Sequence, residues 1–238
     1  MTKQRSILVV EDEADLAKLL RYNIEREGYV CSLASDGGSA LAQARNHAPD
    51  LILLDRMLPG TSGDEVITQL RQDTHLASIP VIMLTAKAEE SDELVGLALG
   101  ADDYISKPFS MKLVLARMAA VLRRAETPQN NKELLISGPI QLDTGRCELK
   151  VDDRLIRVTA TEFGLLKTLM AANGRVLNRQ RLIEAVLGTG VAVTDRTIDV
   201  HITALRKKLR QASGWIHTIR GIGYAFREPL SEGQENSL

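Results

Sequence analysis

Five residues in the first half of the chain have the types and positions that phosphoryl chemistry requires. Glu11 and Asp12 end one apolar run, Asp55 ends a second, Thr85 ends a third, and Lys107 follows a fourth. Clustered carboxylates repel one another unless a hard divalent cation takes their oxygens as ligands, and Mg²⁺ suits such a set. An Asp oxygen in such a site can attack a phosphoryl group, while a hydroxyl and an ammonium neutralise the transferred oxygens. The five residues therefore predict a phospho-acceptor site, provided that the fold brings them together.

The surrounding segments alternate between strand-like and helix-like patterns, which is typical of an α/β fold. Strands are predicted at 6–11, 30–34, 51–55, 80–85 and 103–106, and helices near 13–27, 37–46, 63–72, 89–99 and 110–124. Runs such as LILLD (51–55) are apolar except at the last residue, which indicates burial on both faces and hence a parallel sheet between helices. We therefore predict a five-stranded, parallel, doubly wound domain. Because the carboxyl ends of its strands line one crevice, the five residues are expected to converge there.

Each acidic residue also has an ordinary explanation, because Asp and Glu at strand ends often cap helices or solvate loops. For any one of them the two interpretations are equally good. The set as a whole favours a site, since every member lies at the carboxyl end of a strand and their chemical roles complement one another.

The second half of the chain is organised differently. The polar segment ETPQNNKE (126–133) has the composition of a linker. Four strand-like runs and three helical patterns follow it. The strands are predicted at 134–136, 139–142, 146–151 and 154–158, and the helices at 159–172, 178–187 and 194–211. We predict a first domain at 1–124, a linker at 125–133, an α+β domain at 134–228 and a disordered tail at 229–238.

Charge and composition narrow the classes of function. The whole chain has 30 Lys and Arg against 31 Asp and Glu, whereas residues 159–227 have 11 against 4, an excess of +7 that favours binding of a polyanion. Aromatic residues make up only 3%, which disfavours base-stacking platforms for single strands. No apolar run reaches the roughly 18 to 20 residues of a membrane span. Cys31 and Cys147 lie 116 residues apart, which favours neither a disulfide framework nor a zinc site. We expect a cytoplasmic protein with no membrane partner.

Residues 194–210 predict an amphipathic helix with a basic outer surface. Ile198, Ile202, Leu205 and Leu209 have spacings of 4, 3 and 4, so they form an apolar stripe that packs inward. The remaining faces are expected to project outward and to combine cations with groups that can contact base edges. Their residues are Arg196, Thr197, Val200, His201, Thr203, Arg206, Lys207 and Lys208. Since most basic amphipathic helices are only solvated surfaces, this pattern alone leaves DNA binding and simple solvation both open.

The segment IHTIRGIGYAF (216–226) favours DNA binding. It predicts two strands joined through Gly221 and Gly223, a hairpin with Arg220 at its tip. A helix-turn-helix followed by a hairpin is a winged helix, in which one helix enters the major groove and the wing reaches an adjacent minor groove. Arg220 is therefore the predicted minor-groove contact.

The first half resembles the receiver domain of two-component response regulators. The resemblance covers 6–124 and is carried by VEDE, LILLDRMLPGTSG, LTAK and GADDYISKPF. It implies that a sensor histidine kinase phosphorylates Asp55. It also implies a Mg²⁺ site whose ligands are Glu11, Asp12, Asp55 and the carbonyl oxygen of Met57.

The same resemblance implies how phosphorylation is read out. Thr85 and Lys107 would contact the phosphoryl group, and the Lys107–Pro108 bond would be cis. Tyr104 corresponds to an aromatic switch that turns inward when Thr85 moves, although a half-buried strand tyrosine is the other interpretation. The phosphoryl group adds nearly two negative charges, enough to bias a surface that already has two states.

In members of that family, the region predicted here as 89–124 provides a dimer face stitched by ion pairs. The corresponding residues are Asp102, Asp103, Arg117 and Arg124. This chain departs from the pattern at Glu93 and Leu113, which replace a basic and an acidic residue that often pair. We expect a homodimer on phosphorylation, with an ion-pair network that is smaller or more apolar.

The second half resembles the effector domain of OmpR/PhoB-type regulators over about 134–227. The motifs are VTATEFGLLKTLM, NRQRLIEAVLG, DRTIDVHITALRKKL and IRGIGYAF. The resemblance implies DNA contacts by the helix at 194–210 and by Arg220, and contact of the 188–194 loop with RNA polymerase. The length of that loop resembles PhoB-like members, which regulate phosphate uptake. Thr203, Ala204 and Leu187 depart from the pattern, so base preference does not transfer.

These features predict a phosphorylation-dependent, promoter-binding transcriptional regulator rather than a turnover enzyme. Two other classes share some of the features. A free-standing aspartyl phosphatase would need a second carboxylate two residues after the nucleophile, where this chain has Met57. A regulator that acts only by protein interaction would keep the receiver domain but would not need the basic helix.

Overall fold

The structure is a computed structural model that describes residues 4–86, 99–125, 133–187 and 195–229. The chain divides into two compact units, Met1–Glu126 with Thr159–Thr161, and Thr127–Val158 with Glu162–Leu238. Each unit has a hydrophobic core of its own. The predicted helix at 89–99 falls almost entirely outside the described residues, as do most of the predicted linker and tail.

The first unit contains the predicted five-stranded parallel sheet, with strand order β2-β1-β3-β4-β5. The strands are β1 Ser6–Val10, β2 Val30–Ala34, β3 Leu51–Asp55, β4 Val81–Ala86 and β5 Asp103–Lys107. The described helices are α1 Ala14–Arg26, α2 Gly37–His47, α3 Gly63–Gln72 and α4 Met111–Ala125. This order, with the chain crossing over between parallel neighbours, is that of a doubly wound α/β domain, so the predicted fold class is confirmed.

Burial on both faces explains why the strands read as continuous apolar runs. Every residue of β3 is buried, and alternate residues of a strand point to opposite faces of the sheet. Leu51 and Leu53 belong to a core cluster with Leu20 of α1 and Met118 of α4. Helices α2 and α3 contact each other, as do α1 and α4, so the helices form two pairs.

The parallel register brings the carboxyl ends of the strands to one edge. Val10 of β1 is paired with Leu54 of β3, so Glu11 and Asp55 follow as neighbours. Lys107 is paired with Ala86, at the end of β4. The Lys107–Pro108 peptide bond is cis, as predicted. Residues that are far apart in the sequence therefore meet at this edge.

The start of α3 lies directly against the end of β3. Ser62 forms a capping box with Glu65, which satisfies backbone N–H groups at the start of the helix. A Cβ atom on Gly63 would lie within 3 Å of the Asp55 carbonyl oxygen and the Arg56 Cα atom, so only glycine allows this close approach. The helix start is thereby packed next to Asp55.

The described residues of the second unit form two antiparallel sheets and three α-helices. One sheet has the order β6-β7-β8-β9, and the other has the order β10-β12-β11. The strands are β6 Leu134–Ser137, β7 Ile140–Asp143, β8 Glu148–Val151, β9 Arg154–Ile156, β10 Leu177–Asn178, β11 Ile216–Ile219 and β12 Gly223–Phe226. The helices are α5 Ala160–Ala171, α6 Arg179–Leu187 and α7 Asp195–Leu209, and a 3₁₀ helix spans Arg210–Trp215. The two helices predicted on either side of the turn are present, and so is the predicted hairpin.

The core of the second unit lies between its helices and sheets. The apolar stripe of α7, Ile198, Ile202, Leu205 and Leu209, is fully buried, as its spacing predicts. The short strand β10 was not predicted, and it pairs with β12 of the wing. Within the described residues, no helix is both long enough and apolar enough to span a bilayer.

Candidate functional site

Three carboxylates meet at the carboxyl edge of the parallel sheet. One ligand oxygen from each of Glu11, Asp12 and Asp55 lies within 4.8 Å of the others. Glu11 and Asp55 are buried at 3% exposure, whereas Asp12 is exposed. The group thus has a protected side and one open to solvent.

Lys107 bridges the two buried carboxylates. Its Nζ atom donates to Asp55 Oδ2 at 2.6 Å and to Glu11 Oε2 at 2.8 Å. The ammonium partly offsets the repulsion between the carboxylates, because it forms a charge-assisted hydrogen bond with each of them. The cation that sequence analysis placed near a phosphoryl group is therefore within reach of the predicted acceptor oxygen.

The electrostatics of the pocket shift the pKa values of two groups. Burial raises the pKa of Glu11, the charge of Asp55 adds to that rise, and the hydrogen bond from Lys107 opposes it. Burial by itself would lower the pKa of Lys107, but its hydrogen bonds to Asp55 and Glu11 raise it above the ordinary value. Lys107 consequently remains a cation at neutral pH.

The other predicted pocket residues surround this cluster. The backbone N–H of Met57 donates to Asp55 Oδ1 at 3.0 Å, and the Met57 side chain is exposed. Thr85 is buried, and among the described residues its hydroxyl donates to the carbonyl oxygen of Ala86 at 3.1 Å. Tyr104, on β5, is buried at 7% exposure. Its ring already lies inside the unit.

The donor set fits a hard divalent cation. Carboxylate oxygens are the ligands that Mg²⁺ prefers, and Mg²⁺ usually keeps several water molecules. Exposed Asp12 offers the side from which a hydrated ion can enter, and Glu11 and Asp55 supply further oxygens. The arrangement can combine an acceptor carboxylate with compensating positive charge.

In the second unit, the residues of α7 divide into faces that sequence analysis did not separate. Arg196, Thr203 and Lys207 are exposed, and Val200 is half-buried. Their spacings of 4, 3 and 4 place them along one stripe of the helix. This stripe, which we call the open stripe, carries two cations, a hydroxyl and an apolar group toward solvent.

Two predicted contacts lie inside the unit, so the expectation that they project outward is wrong. Thr197 is 5% exposed and His201 is 1% exposed. They are separated by one helical turn, and both lie between the apolar stripe and the open stripe. The spacing of the apolar residues had defined the centre of the buried surface but not its width.

Two further predicted contacts hold the helix to its surroundings. Lys208 donates to Glu162 Oε2 of α5 at 2.5 Å, and Glu162 is 1% exposed. Arg206 donates through Nη2 to the Ile216 carbonyl oxygen at 2.5 Å and to Thr218 Oγ1 at 2.8 Å. Both cations are thus engaged within the protein.

The wing presents Arg220 to solvent. This residue is exposed and lies between β11 and β12. It precedes Gly221, whose φ of 73° lies in the left-handed region that favours glycine. The Trp215 ring packs on the core with its centroid 5.5 Å from that of Phe226. Arg220 and the open stripe are therefore the exposed cationic elements that the motif analysis assigned to DNA.

Comparison with known proteins supports the family resemblance of both halves of the chain. Residues 7–119 match the family model of the response regulator receiver domain, and residues 153–226 match that of the C-terminal transcriptional regulatory protein domain. The phosphate regulon transcriptional regulatory protein PhoB of Rhizobium meliloti is 45% identical over 222 residues, which cover 92% of this chain and 97% of PhoB. The chain belongs to the OmpR/PhoB-type response regulators.

Other relatives are similar to this response regulator over most of its length. The alkaline phosphatase synthesis transcriptional regulatory protein PhoP of Bacillus subtilis is 43% identical over 236 residues, covering 94% of this chain and 98% of PhoP. Among solved structures, a mutant of RitR has a TM-score of 0.76 at 28% identity and covers 94% of this chain and 99% of its own. Both PhoB and PhoP are named as transcriptional regulatory proteins.

Three of the four residues assigned to the dimer face of this OmpR/PhoB-type regulator, Asp102, Asp103 and Arg117, are already paired within the protomer. Asp103 is 1% exposed and accepts from Arg117 Nη1 at 2.6 Å and 2.9 Å. Asp102 is also 1% exposed and accepts from Arg71 Nη2 at 3.1 Å. Arg71, which sequence analysis missed, further donates to the carbonyl oxygens of Ala77, Ile79 and Gly100.

Of the remaining assignments for the dimer face and the polymerase contact, the structure describes the side chain of Leu113 alone. Leu113 is exposed on α4. The side chain of Arg124, Glu93 and the 188–194 loop lie outside the described residues. On this face, the described ion pairs of Asp102 and Asp103 are therefore both intramolecular.

Proposed function

We propose that this response regulator is controlled by phosphorylation of Asp55 and binds promoter DNA through α7 and the wing. A sensor histidine kinase donates the phosphoryl group, the receiver unit then dimerises, and the effector unit binds double-stranded DNA. The observation that carries this proposal is the pair of hydrogen bonds from Lys107 to Asp55 and Glu11 at the carboxyl edge of the sheet. They put a cation beside the acceptor in a protected pocket.

The residues that would hold Mg²⁺ are Glu11, Asp12, Asp55 and the carbonyl oxygen of Met57. When bound, the ion supplies positive charge close to the oxygens of the transferred group. The support is the meeting of three carboxylates, one of them open to solvent.

The transfer step itself uses the carboxylate of Asp55. One of its oxygens attacks phosphorus, a new O–P bond forms, and the P–N bond to the kinase histidine breaks. The imidazole keeps the electron pair of that bond, and the phosphoryl group gives a mixed anhydride on Asp55. Lys107 compensates the charge on the phosphoryl oxygens, because its ammonium already lies 2.6 Å from Asp55 Oδ2.

The readout starts at Thr85 and Tyr104. The Thr85 hydroxyl gives up its hydrogen bond to the Ala86 carbonyl oxygen and donates to a phosphoryl oxygen instead. The Tyr104 side chain changes position when Thr85 moves. The dimer face then changes. The receiver takes part in its own phosphoryl transfer and dephosphorylation, but it is not a turnover enzyme on an external substrate. The proposal further includes a cytoplasmic location and contact with RNA polymerase.

Promoters of phosphate-regulon type are the proposed DNA targets. The support is the similarity to PhoB of Rhizobium meliloti and to PhoP of Bacillus subtilis, which is named for alkaline phosphatase synthesis. Selection of bound sequences from a random DNA pool by the phosphorylated protein tests this, since the recovered sites must match sequences found in such promoters.

Acetyl phosphate and Mg²⁺ provide a direct test of the acceptor. Intact-mass spectrometry of the full chain should show the gain of one phosphoryl group, and Asp55→Asn should show none. Asp15→Asn, which changes an exposed carboxylate on α1, is the matched control and should be labelled like the wild type. Labelling of Asp55→Asn to the wild-type level would reject Asp55 as the acceptor, and DNA affinity unaffected by phosphorylation would reject the control of DNA binding.

A further inference from the structure

Four side chains join the wing to the helices of the second unit. Arg179 begins α6, Asp199 and Arg206 lie on α7, and Tyr224 lies on β12. We call these four residues the wing node. Helices α6 and α7 belong to the helix-turn-helix, and β12 belongs to the hairpin, so the node connects these two parts.

The centre of the wing node is Asp199. Its Oδ1 atom accepts a hydrogen bond from the Tyr224 hydroxyl at 2.6 Å and another from Arg179 Nε at 2.7 Å. Asp199 is 40% exposed at its side chain and Arg179 is 20% exposed, whereas Tyr224 is 4% exposed. A buried hydroxyl thus has a charged acceptor on the helix that carries the open stripe.

The Tyr224 ring lies close to two guanidinium groups. The Cζ atom of Arg179 is 5.2 Å from the ring centroid, and the Cζ atom of Arg206 is 5.7 Å from it. Both distances are within the range of cation–π attraction. Arg206 also donates to the Ile216 carbonyl oxygen and to Thr218, both on β11. The node therefore contacts both strands of the wing.

Backbone pairing fixes the other side of Tyr224. Tyr224 is paired with Leu177 of β10 and with Thr218 of β11. A Cβ atom on Gly223 would lie within 3 Å of the Leu177 carbonyl oxygen, so the strands approach closely where β12 begins. Because Arg179 follows β10 directly, the start of α6, the wing and α7 converge on a single tyrosine.

The position of the node on α7 separates it from the open stripe. Asp199 and Arg206 are seven residues apart, two helical turns, so they lie on one side of the helix. Arg196, Thr203 and Lys207 lie on another side and are exposed. The node can thus set the wing against α7 without occupying the groups that face solvent.

We propose that Tyr224, Asp199, Arg179 and Arg206 are positioning residues that fix the wing relative to α7, so that Arg220 and the open stripe engage one DNA duplex together. The proposal rests on DNA binding by this unit, as proposed above. It assigns Arg206 a role within the protein instead of the direct DNA contact expected from its position.

The test uses a double-mutant cycle on the full-length phosphorylated chain and a duplex recovered by selection. Arg220→Ala should weaken binding about tenfold in the wild-type background. In the Tyr224→Phe background, which keeps the ring but lacks the hydroxyl, the same change should cost less than about threefold, because the wing is no longer held in register. Tyr22→Phe, an exposed tyrosine on α1, is the matched control and should leave the tenfold loss intact.

A second readout separates positioning from general structural support. Replacing guanine by inosine removes the minor-groove amino group and leaves the major-groove edge unchanged, so at the wing step it reports on contact with the minor groove. Wild type should respond to inosine at the wing step, and Tyr224→Phe should respond less than wild type at the same step. A loss of folding alone would lower the active fraction equally for both duplexes, so it would not change the ratio of their affinities.

The possible outcomes distinguish failure of the positioning role from failure of the proposed DNA binding. An Arg220→Ala loss that is equal in the wild-type and Tyr224→Phe backgrounds overturns the positioning role, even when Tyr224→Phe binds more weakly. If Tyr224→Phe fails to fold, the same cycle is run with Asp199→Asn, and an unchanged loss there overturns the role. If the wild-type chain binds no duplex, the proposed DNA-binding function fails and the inference falls with it. If the wild type binds and Arg220→Ala has no effect, the wing contact itself is rejected.

Discussion

Lys107 and Asp55 are 52 residues apart in the chain, and their side chains are joined by a hydrogen bond of 2.6 Å. The contact exists because β3, β4 and β5 are parallel neighbours whose carboxyl ends meet at one edge. A third group, Glu11, shares the same ammonium at 2.8 Å. The pocket therefore holds its cation before any phosphoryl group arrives, so little reorganisation is needed at transfer.

Lys107→Gln should slow phosphorylation of Asp55. The substitution removes a charge-assisted hydrogen bond, worth about 1.5–3 kcal/mol, and the initial rate with acetyl phosphate should fall about 10- to 100-fold. Intact-mass spectrometry of samples quenched at successive times measures the rate. Lys112→Gln changes an exposed cation on α4 and should leave the rate unchanged. A rate equal to that of the wild type for Lys107→Gln would contradict this role.

Asp12→Asn should remove most of the stabilisation by Mg²⁺. At a Mg²⁺ concentration about 100 times Kd, binding to the folded state adds about 2.7 kcal/mol to the free energy of unfolding. Asp12 supplies the exposed carboxylate of the cluster, so its neutral replacement should lose most of that increment. Urea unfolding with and without Mg²⁺ measures it, with Asp15→Asn as the control. An increment retained in full would place the ion elsewhere.

The sheet could be predicted because the strands that carry the site are buried on both faces and therefore read as apolar runs. Their shared carboxyl edge then followed from parallel topology. Partners of individual charges could not be predicted in this way, since nothing in the spacing links Asp102 to Arg71, which is 31 residues away. The two-residue strand β10 is too short to show any alternation of apolar and polar residues.

On α7 the spacing of apolar residues located the inward stripe but could not divide the remaining residues. Whether a flanking side chain faces solvent depends on what packs beside the helix. Thr197 and His201 are covered, Arg206 reaches β11, and Lys208 reaches Glu162. These outcomes depend on tertiary neighbours that the local sequence does not specify.

Arg117→Ala should destabilise the receiver unit within the monomer. It leaves the Asp103 carboxylate buried without the guanidinium that donates to both of its oxygens, and loss of one partner of a buried pair costs about 3–5 kcal/mol. The double substitution Asp103→Leu with Arg117→Leu should recover most of this loss, because no buried charge remains. Urea unfolding at several protein concentrations measures both. A monomer as stable as wild type that fails only to dimerise would instead support an intersubunit pair.

Lys207→Ala and Lys208→Ala should have different effects. Lys207 is exposed on the open stripe, so its loss should flatten the slope of log Kd against log salt concentration by about one unit. Lys208 is paired with buried Glu162, so its loss should leave the slope unchanged and lower the free energy of unfolding by about 1–3 kcal/mol. Fluorescence anisotropy over a salt series and urea unfolding measure the two effects. The reverse pattern would assign phosphate contact to Lys208.

Stability of the effector unit should decrease at high pH because of Tyr224. Burial raises the pKa of Tyr224 from 10.0 to about 12, and the hydrogen bond to Asp199 adds to that rise. Below pH 10 both the folded and unfolded states keep the phenol protonated, so its contribution to stability is fully present. Between pH 10 and about 12 the unfolded state ionises first, so stability falls with rising pH and the contribution is lost above the folded pKa.

Tyr224→Phe should therefore flatten the pH dependence of unfolding over this window, whereas Tyr22→Phe should not. Urea unfolding across the window measures the slope, and phenolate absorbance of the native chain reports the titration directly. The difference in absorbance between wild type and Tyr224→Phe should develop near pH 12, two units above an ordinary tyrosine. A difference that developed near pH 10 would mean that the hydroxyl is hydrated and is not held by Asp199, and the tyrosine at the centre of the wing node would then lack its hydrogen bond to α7.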